Sequence, residues 1–334
     1  MKKYLLLTHM LFSSHALFAS EDHHAHHNHE NHRYAPIGIM GEHPHQKGEW
    51  MLSYRYGHMT MEGSQSNTDE VTTESVLNDF MVAPLEMDMT MHMFGAMRGI
   101  NDKLTFMAMI PYKELTMDHK NSMGVNFTTE SKGVGDIKLS ALYSLYSSNN
   151  RKILLNTGIN LPTGSIDKRD DTPSGANQKL PYPMQLGSGT YDYLLGLTYS
   201  DYKGKWSWGA QAGSIIHLGQ NSEHYSLGDS YNLTIWDSYQ INKSLTTSIR
   251  LDGKIWEDID GLDPELNASM VPTARTDLRA GKKVDLLFGM NILVPNSNVQ
   301  SVVSFEIGMP IYQKLDGPQL KSEYSFMVGT QFTF

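Results

Sequence analysis

The eleven residues Tyr324-Ser325-Phe326-Met327-Val328-Gly329-Thr330-Gln331-Phe332-Thr333-Phe334 alternate in character from end to end. Extended backbone sends successive side chains to opposite sides, so Tyr324, Phe326, Val328, Thr330, Phe332 and Phe334 share one face. The other face carries only small or polar groups and Met327. A second run has the same form: Tyr191, Tyr193, Leu195, Leu197 and Tyr199 alternate with Asp192, Leu194, Gly196, Thr198 and Ser200. Strands of soluble proteins usually span about five or six residues. A tilted strand that crosses a bilayer needs roughly 9–11, the length seen here.

Outward from these two runs, twelve such segments follow one another: 47–57, 89–100, 103–113, 133–147, 151–161, 187–201, 204–218, 228–241, 243–256, 278–294, 299–312 and 321–334. Their connections alternate in length. Long ones fall at 58–88, 114–132, 162–186, 219–227, 257–277 and 313–320; short ones fall at 101–102, 148–150, 202–203, 242 and 295–298. The expected fold is all-β: an antiparallel transmembrane β-barrel of about twelve strands in the outer membrane of a Gram-negative bacterium, with short periplasmic turns and long extracellular loops. Closure pairs every backbone group and leaves no edge in lipid. Tyr143, Tyr146, Tyr191, Tyr199, Tyr202, Trp206, Trp208, Tyr231, Tyr239 and Tyr324 fall near the expected strand ends, where amphipathic rings suit the headgroup boundary.

Composition excludes other classes. The 334 residues contain no cysteine, which removes disulfide frameworks, cysteine zinc sites and thiol nucleophiles. Beyond the N-terminus no apolar run approaches the roughly 20 residues of a membrane helix. The net charge of -9 argues against nucleic acid as a partner. A soluble barrel is the competing fold, but the small, polar face bears many charges, which a dry core would not tolerate and a wet lumen would. Arg55, His92, Arg98, Lys138, Arg250, Asp252, Lys254, Asp285 and Glu306 are therefore the lumen candidates.

The N-terminus reads as two further regions. Lys2 and Lys3, the mainly apolar stretch to Phe18, and Ala19-Ser20 form an expected signal peptide over 1–20. Residues 21–46 follow as a flexible, His-rich tail, placed in the periplasm because an even strand count sets both barrel termini beside the short turns; the barrel occupies 47–334. His23, His24, His26, His27, His29 and His32 put six imidazoles within ten residues, beside carboxylates, a composition suited to copper, nickel or zinc. Cleavage after Ser20 would also place an amine and His23 at positions one and three, a square-planar copper(II) or nickel(II) arrangement.

Methionine is the remaining oddity, 21 residues and clustered. Met89, Met91, Met93 and Met97 share a face of the second strand and read as a lipid-facing or packing stripe. Met107, Met109 and His92 read as lumen residues, in a register that a slip of one residue inverts. The acidic residues of the loop 257–277 depart from the spacing of a calcium loop, and no nucleophile motif accompanies His217, Ser222 and His224. No catalytic site and no required cofactor are expected.

Three stretches carry a resemblance: Gly133-Val134-Gly135-Asp136-Ile137-Lys138-Leu139, Leu161-Pro162-Thr163-Gly164, and Leu186-Gly187-Ser188-Gly189-Thr190. With the terminal aromatic Phe334, in order and spacing over 47–334, the chain resembles the family of outer-membrane transporters named for the MetA pathway of phenol degradation. The resemblance implies an outer-membrane β-barrel channel for a small, aromatic or hydrophobic solute, with outer-membrane lipid as its surroundings. Two alternatives accompany it: a barrel that handles copper or another divalent metal through the His-rich tail, and a barrel enzyme or structural protein.

Overall fold

The computed structural model describes residues 34–148, 150–295 and 299–334. The expected signal peptide and the histidines at 23–32 lie outside the described residues. Seventeen strand segments follow in order: β1 (Trp50–Asn67), β2 (Asp69–Val71), β3 (Val82–Asn101), β4 (Leu104–Asn121), β5 (Asn126–Val134), β6 (Ile137–Ser147), β7 (Lys152–Leu161), β8 (Arg169–Thr172), β9 (Gly175–Lys179), β10 (Tyr191–Lys203), β11 (Trp206–Leu218), β12 (Tyr225–Ser226), β13 (Ser230–Gln240), β14 (Leu245–Trp256), β15 (Asp260–Gly261), β16 (Gly281–Val294) and β17 (Gln300–Thr333). Among the described residues one α-helix, α1 (Thr73–Asp79), is capped by the Thr72 hydroxyl, which accepts from the Ser75 amide.

Eleven of the strands close into one ring, with β2 and β5 attached outside it. Every neighbouring pair is antiparallel, and alternating directions close only with an even number of staves. The long segment β17 supplies the twelfth by reversing. Residues 301–315 pair with β16 and residues 315–333 with β1. Across the fold-back, the Gln313 amide donates to the Ser322 carbonyl at 2.8 Å and its oxygen accepts from the Ser322 amide at 2.9 Å. The twelve expected staves are thus present.

Their outer surface is apolar and exposed. Leu52, Phe94, Phe106, Ile110, Leu195, Leu197, Leu233, Ile235, Phe288 and Ile307 all point away from the ring. Water would penalise such a belt and hydrocarbon does not. At the short-turn end, Trp206 packs on Tyr239 with ring centroids 4.7 Å apart, and the Lys205 ammonium lies 5.9 Å from the Tyr239 ring. At the other end Tyr191, Tyr231 and Tyr324 are exposed. These are two aromatic girdles.

Three strands exceed expectation. β1, β3 and β4 run 18, 20 and 18 residues, through what reads in the sequence as loop. The reason is chemical. Beyond the belt their outer faces turn polar, with Glu62, Glu86, Asp88, Glu114 and Asp118, while the inner faces keep Met61, Met87, Leu115 and Met117. The expected strand 133–147 is β6, paired with 104–109 of β4, and the expected connection 114–132 holds most of a further strand, β5, paired with 112–120 of β4.

Candidate functional site

The lumen is built by one residue in two from each stave. Its clearest feature is an ionic cluster on β14, β16 and β17. Both Nε and Nη2 of Arg250 bond Oε1 of Glu306, Nη1 reaches Asp252 at 3.0 Å and the Thr234 hydroxyl at 3.3 Å, and Lys283 pairs with Asp285 at 2.9 Å. Arg250 and Glu306 are buried, at 7% and 3% exposure. Lys254 stands on the same inward row. Arg55 and Lys138 also point inward, from β1 and β6.

Two lumen candidates do not belong to it. His92 and Arg98 share the outer row with Phe94, which is 54% exposed. The His92 ring packs between Tyr54, Tyr56 and Tyr112, and Tyr54 Oη bonds its Nδ1 at 2.8 Å. Arg98 lies over the Trp50 ring at 5.0 Å, where a long cation reaches the headgroup boundary. Of the two readings of the methionine stripe, lipid-facing and packing, the structure supports packing. Met93 and Met97 are buried and inward, and Met97 stands opposite Met51 on one side and Met107 on the other. Both faces of this strand are apolar enough to meet lipid, so alternation alone did not orient it.

Residues 34–46, read as part of a free tail, lie inside the barrel. Asn291 donates to the carbonyls of Tyr34 and Ala35 at 3.2 and 3.1 Å, Gln211 to that of Met40 at 3.0 Å, and the His45 amide donates to the Thr105 hydroxyl at 2.8 Å. Ile37 and Ile39 are buried. Gly38 rests on the Arg250–Glu306 pair, where a Cβ would come within 2.3 Å of the guanidinium. Gly41 takes a left-handed φ of +67° against Leu142. The segment Ala35-Pro36-Ile37-Gly38-Ile39-Met40-Gly41 is apolar and glycine-punctuated, unlike the polar histidine run before it, and that shift was the available signal.

Gly99 fixes the base of this plug. Its amide donates to the Glu49 carbonyl, its carbonyl accepts from Gly48, and a Cβ there would lie 1.9 Å from the Gln46 carbonyl oxygen. Gly99→Val is therefore expected to expel residues 45–48 and raise single-channel conductance in planar bilayers severalfold. A conductance equal to that of the native chain would count against the plug.

The opposite end is covered by loops that the three resembling stretches tie together. The Asp136 carboxylate accepts from the amides of Gly164 at 2.9 Å and Ser188 at 2.7 Å, and from the Ser188 hydroxyl at 3.2 Å. Thr163 donates to the Gly135 carbonyl at 2.8 Å and accepts from the Ile137 amide at 3.0 Å. Gly164 and Gly187 approach so closely that a Cβ on either would strike the other's backbone. The loop so held drops Leu180, Met184 and Leu186 onto Met87, Leu115 and Met117 of the lumen wall. Ion pairs join it to its neighbours: Lys179 to Asp263 at 2.6 Å and Glu223 at 3.2 Å, and Arg169 to Glu265 at 2.6 Å. Burial alone would lower the Lys179 pKa, but its bonds to Asp263 and Glu223 outweigh that and hold it above the ordinary lysine range.

Among these loops lies a cavity of about 320 Å³. Met81, Val82, Phe127, Leu180, Pro181, Leu266, Met270 and Val271 give it apolar walls, and His119, Asn121, Lys179 and Glu265 are among the polar residues that also line it. Small-molecule sites start near roughly 300 Å³, so the cavity suits a single ring rather than a long chain. It could not be read from the sequence, because its walls come from four separate connections.

Residues 64–285 match the model of the family described as "Putative MetA-pathway of phenol degradation". No curated protein sequence matches the chain. Among solved structures, an outer membrane channel from Pseudomonas putida F1 aligns over 90% of this chain and 100% of its own, with a TM-score of 0.61 and 16% identity. The transport unit of the autotransporter AIDA-I from Escherichia coli aligns over 89% of this chain and 94% of its own, with a TM-score of 0.52 and 8% identity. The Pseudomonas putida toluene transporter TodX covers 86% of this chain and 89% of its own at 10% identity, with a TM-score of 0.40. The first two of these likenesses establish an outer-membrane barrel fold.

Proposed function

We propose that this chain, which belongs to the family of the MetA pathway of phenol degradation, is an outer-membrane channel for a small apolar solute about the size of one aromatic ring. The observation that carries this reading is the apolar cavity of about 320 Å³ set in the loops at one mouth of the barrel. A solute first leaves water for Phe127, Leu180 and Val271, which favours it by about 25 cal/mol per Å² of apolar surface covered. It then meets a lumen closed by residues 34–46, whose docking rests on a few hydrogen bonds. Charged Arg250, Asp252, Lys254 and Asp285 beyond the cavity favour onward release of an apolar molecule over its retention.

The chain's two ends bear on orientation. The Trp50 amide donates to Phe334 at 2.8 Å beside the short turns, so in an outer-membrane barrel the loops face outward and the N-terminus faces the periplasm. Protease added to intact cells is expected to cut an epitope inserted at 267–269 and to spare one at residue 47.

Filling the cavity tests the transport reading. Leu180→Trp with Val271→Phe adds bulk to its walls and is expected to lower uptake of a monoaromatic probe into liposomes about tenfold, while small-ion conductance changes less than twofold. Equal uptake by native and filled barrels would remove the cavity from the route. Absence of flux for any small solute would remove the channel reading itself.

A further inference from the structure

The base of the lumen holds a second, smaller cavity of about 40 Å³, between residues 34–43 and the strand wall. That is room for an ion and not for an organic solute. Its wall includes five thioethers, from Met40, Met51, Met97, Met107 and Met109, and the His43 side chain. Three of them form one rung: Met97 stands directly opposite Met51 on β1 and Met107 on β4. Such cross-strand Cβ atoms lie roughly 4.5–5.5 Å apart, within reach of a common ion for unbranched side chains. Met51 and Met97 are each 4% exposed, which excludes bulk water as a competing ligand.

His43 lines this cavity and His45 follows it two residues on, and the two imidazoles are arranged in the same way as each other. His43 turns Nδ1 to Glu42 at 2.7 Å and His45 turns Nδ1 to Glu49 at 3.3 Å, with the two rings 4.9 Å apart. A carboxylate on one nitrogen orients the other for a metal. Nε2 of His45 is buried and has no hydrogen-bond partner among the described residues. An orphaned buried nitrogen is costly unless something binds it.

We propose that this cavity binds a soft monovalent metal ion, copper(I) or its analogue silver(I), through thioethers of Met51, Met97 and Met107 and an imidazole of the 43–45 segment. Thioether with imidazole selects copper(I) over the hard cations and disfavours zinc. Because residues 40–45 supply part of the shell and the strands supply the rest, the ion would fasten the plug to the barrel wall. The inference is independent of solute transport: the ligands lie at the opposite end from the loop cavity.

The test uses the full chain in detergent micelles, with His23, His24, His26, His27, His29 and His32 replaced by serine so that the N-terminal histidines do not compete. Copper(I), kept reduced under nitrogen, is titrated against a chromogenic copper(I) chelator. One ion per barrel is expected. Met51→Leu with Met97→Leu and Met107→Leu keeps apolar volume and should weaken binding at least a hundredfold; His43→Gln with His45→Gln should weaken it at least tenfold. Unchanged heat-shifted gel mobility confirms a folded barrel, and X-ray absorption of the copper-loaded serine variant should show sulfur neighbours. Failure to bind copper(I), sulfur-free coordination, or undiminished affinity in the leucine variant would each overturn the site.

Discussion

Arg250→Met is expected to destabilise the barrel by about 3–5 kcal/mol, because it strands a carboxylate in the lumen. Glu306 is 3% exposed, and among the described residues its hydrogen bonds and ion pair are those with Arg250. Removing one partner of a buried pair leaves the desolvation cost of the other uncompensated, and Thr234 and Asp252 lose a donor as well. The urea midpoint of unfolding from micelles measures the loss. Arg250→Met combined with Glu306→Leu should recover most of it, since replacing both ions with apolar groups of similar volume is often neutral. Equal midpoints for the single variant and the native chain would show that water, not Arg250, balances Glu306. The single variant should also leak, because Gly38 of the plug rests on this pair.

Asp136→Ala is the second large effect, and it should leave the barrel wall untouched. The carboxylate gathers three donors from the two ends of one loop, and hydrogen bonds to a charged group contribute about 1.5–3 kcal/mol each. Allowing for non-additivity, the loop over 162–190 should lose on the order of 4 kcal/mol of its closed-state preference, roughly a thousandfold in the open fraction. Limited proteolysis within that loop should accelerate accordingly, while the heat-shifted gel mobility of the barrel stays the same. Asp136→Asn should fall between, because its amide nitrogen faces donors where the carboxylate had an acceptor. A loop as resistant to protease in Asp136→Ala as in the native chain would mean that Leu180, Met184 and Leu186 hold it unaided.

The stretches around Asp136 illustrate how far a motif can be read. Gly133 to Leu139, Leu161 to Gly164 and Leu186 to Thr190 are separated by tens of residues and look like strand boundaries. Folded, they meet at one carboxylate, and the glycines are there because two backbones touch. Their role is to clasp a loop over the lumen, which no spacing along the chain expresses. The apolar cavity has the same character: Met81, Phe127, Leu180 and Val271 become neighbours only when four connections fold over one mouth.

The amino-acid sequence by itself determined that this is an all-β membrane barrel of twelve staves, since period-two alternation over ten residues follows from covalent geometry and from lipid on one side. It also marked the aromatic girdles and most of the charged lumen, because ions cannot face hydrocarbon. Only the tertiary structure decided which face of β3 looks inward. Methionine on one side and Phe94 with His92 on the other are both acceptable to lipid, and cross-strand pairing with Met51 and Met107 settled the choice. Tertiary structure also turned residues 34–46 from a tail into a plug, because their partners Gln211 and Asn291 stand 171 and 257 positions away from Met40 and Tyr34. Local pattern reports what each residue prefers as its surroundings, and closure of the ring decides which surroundings it receives.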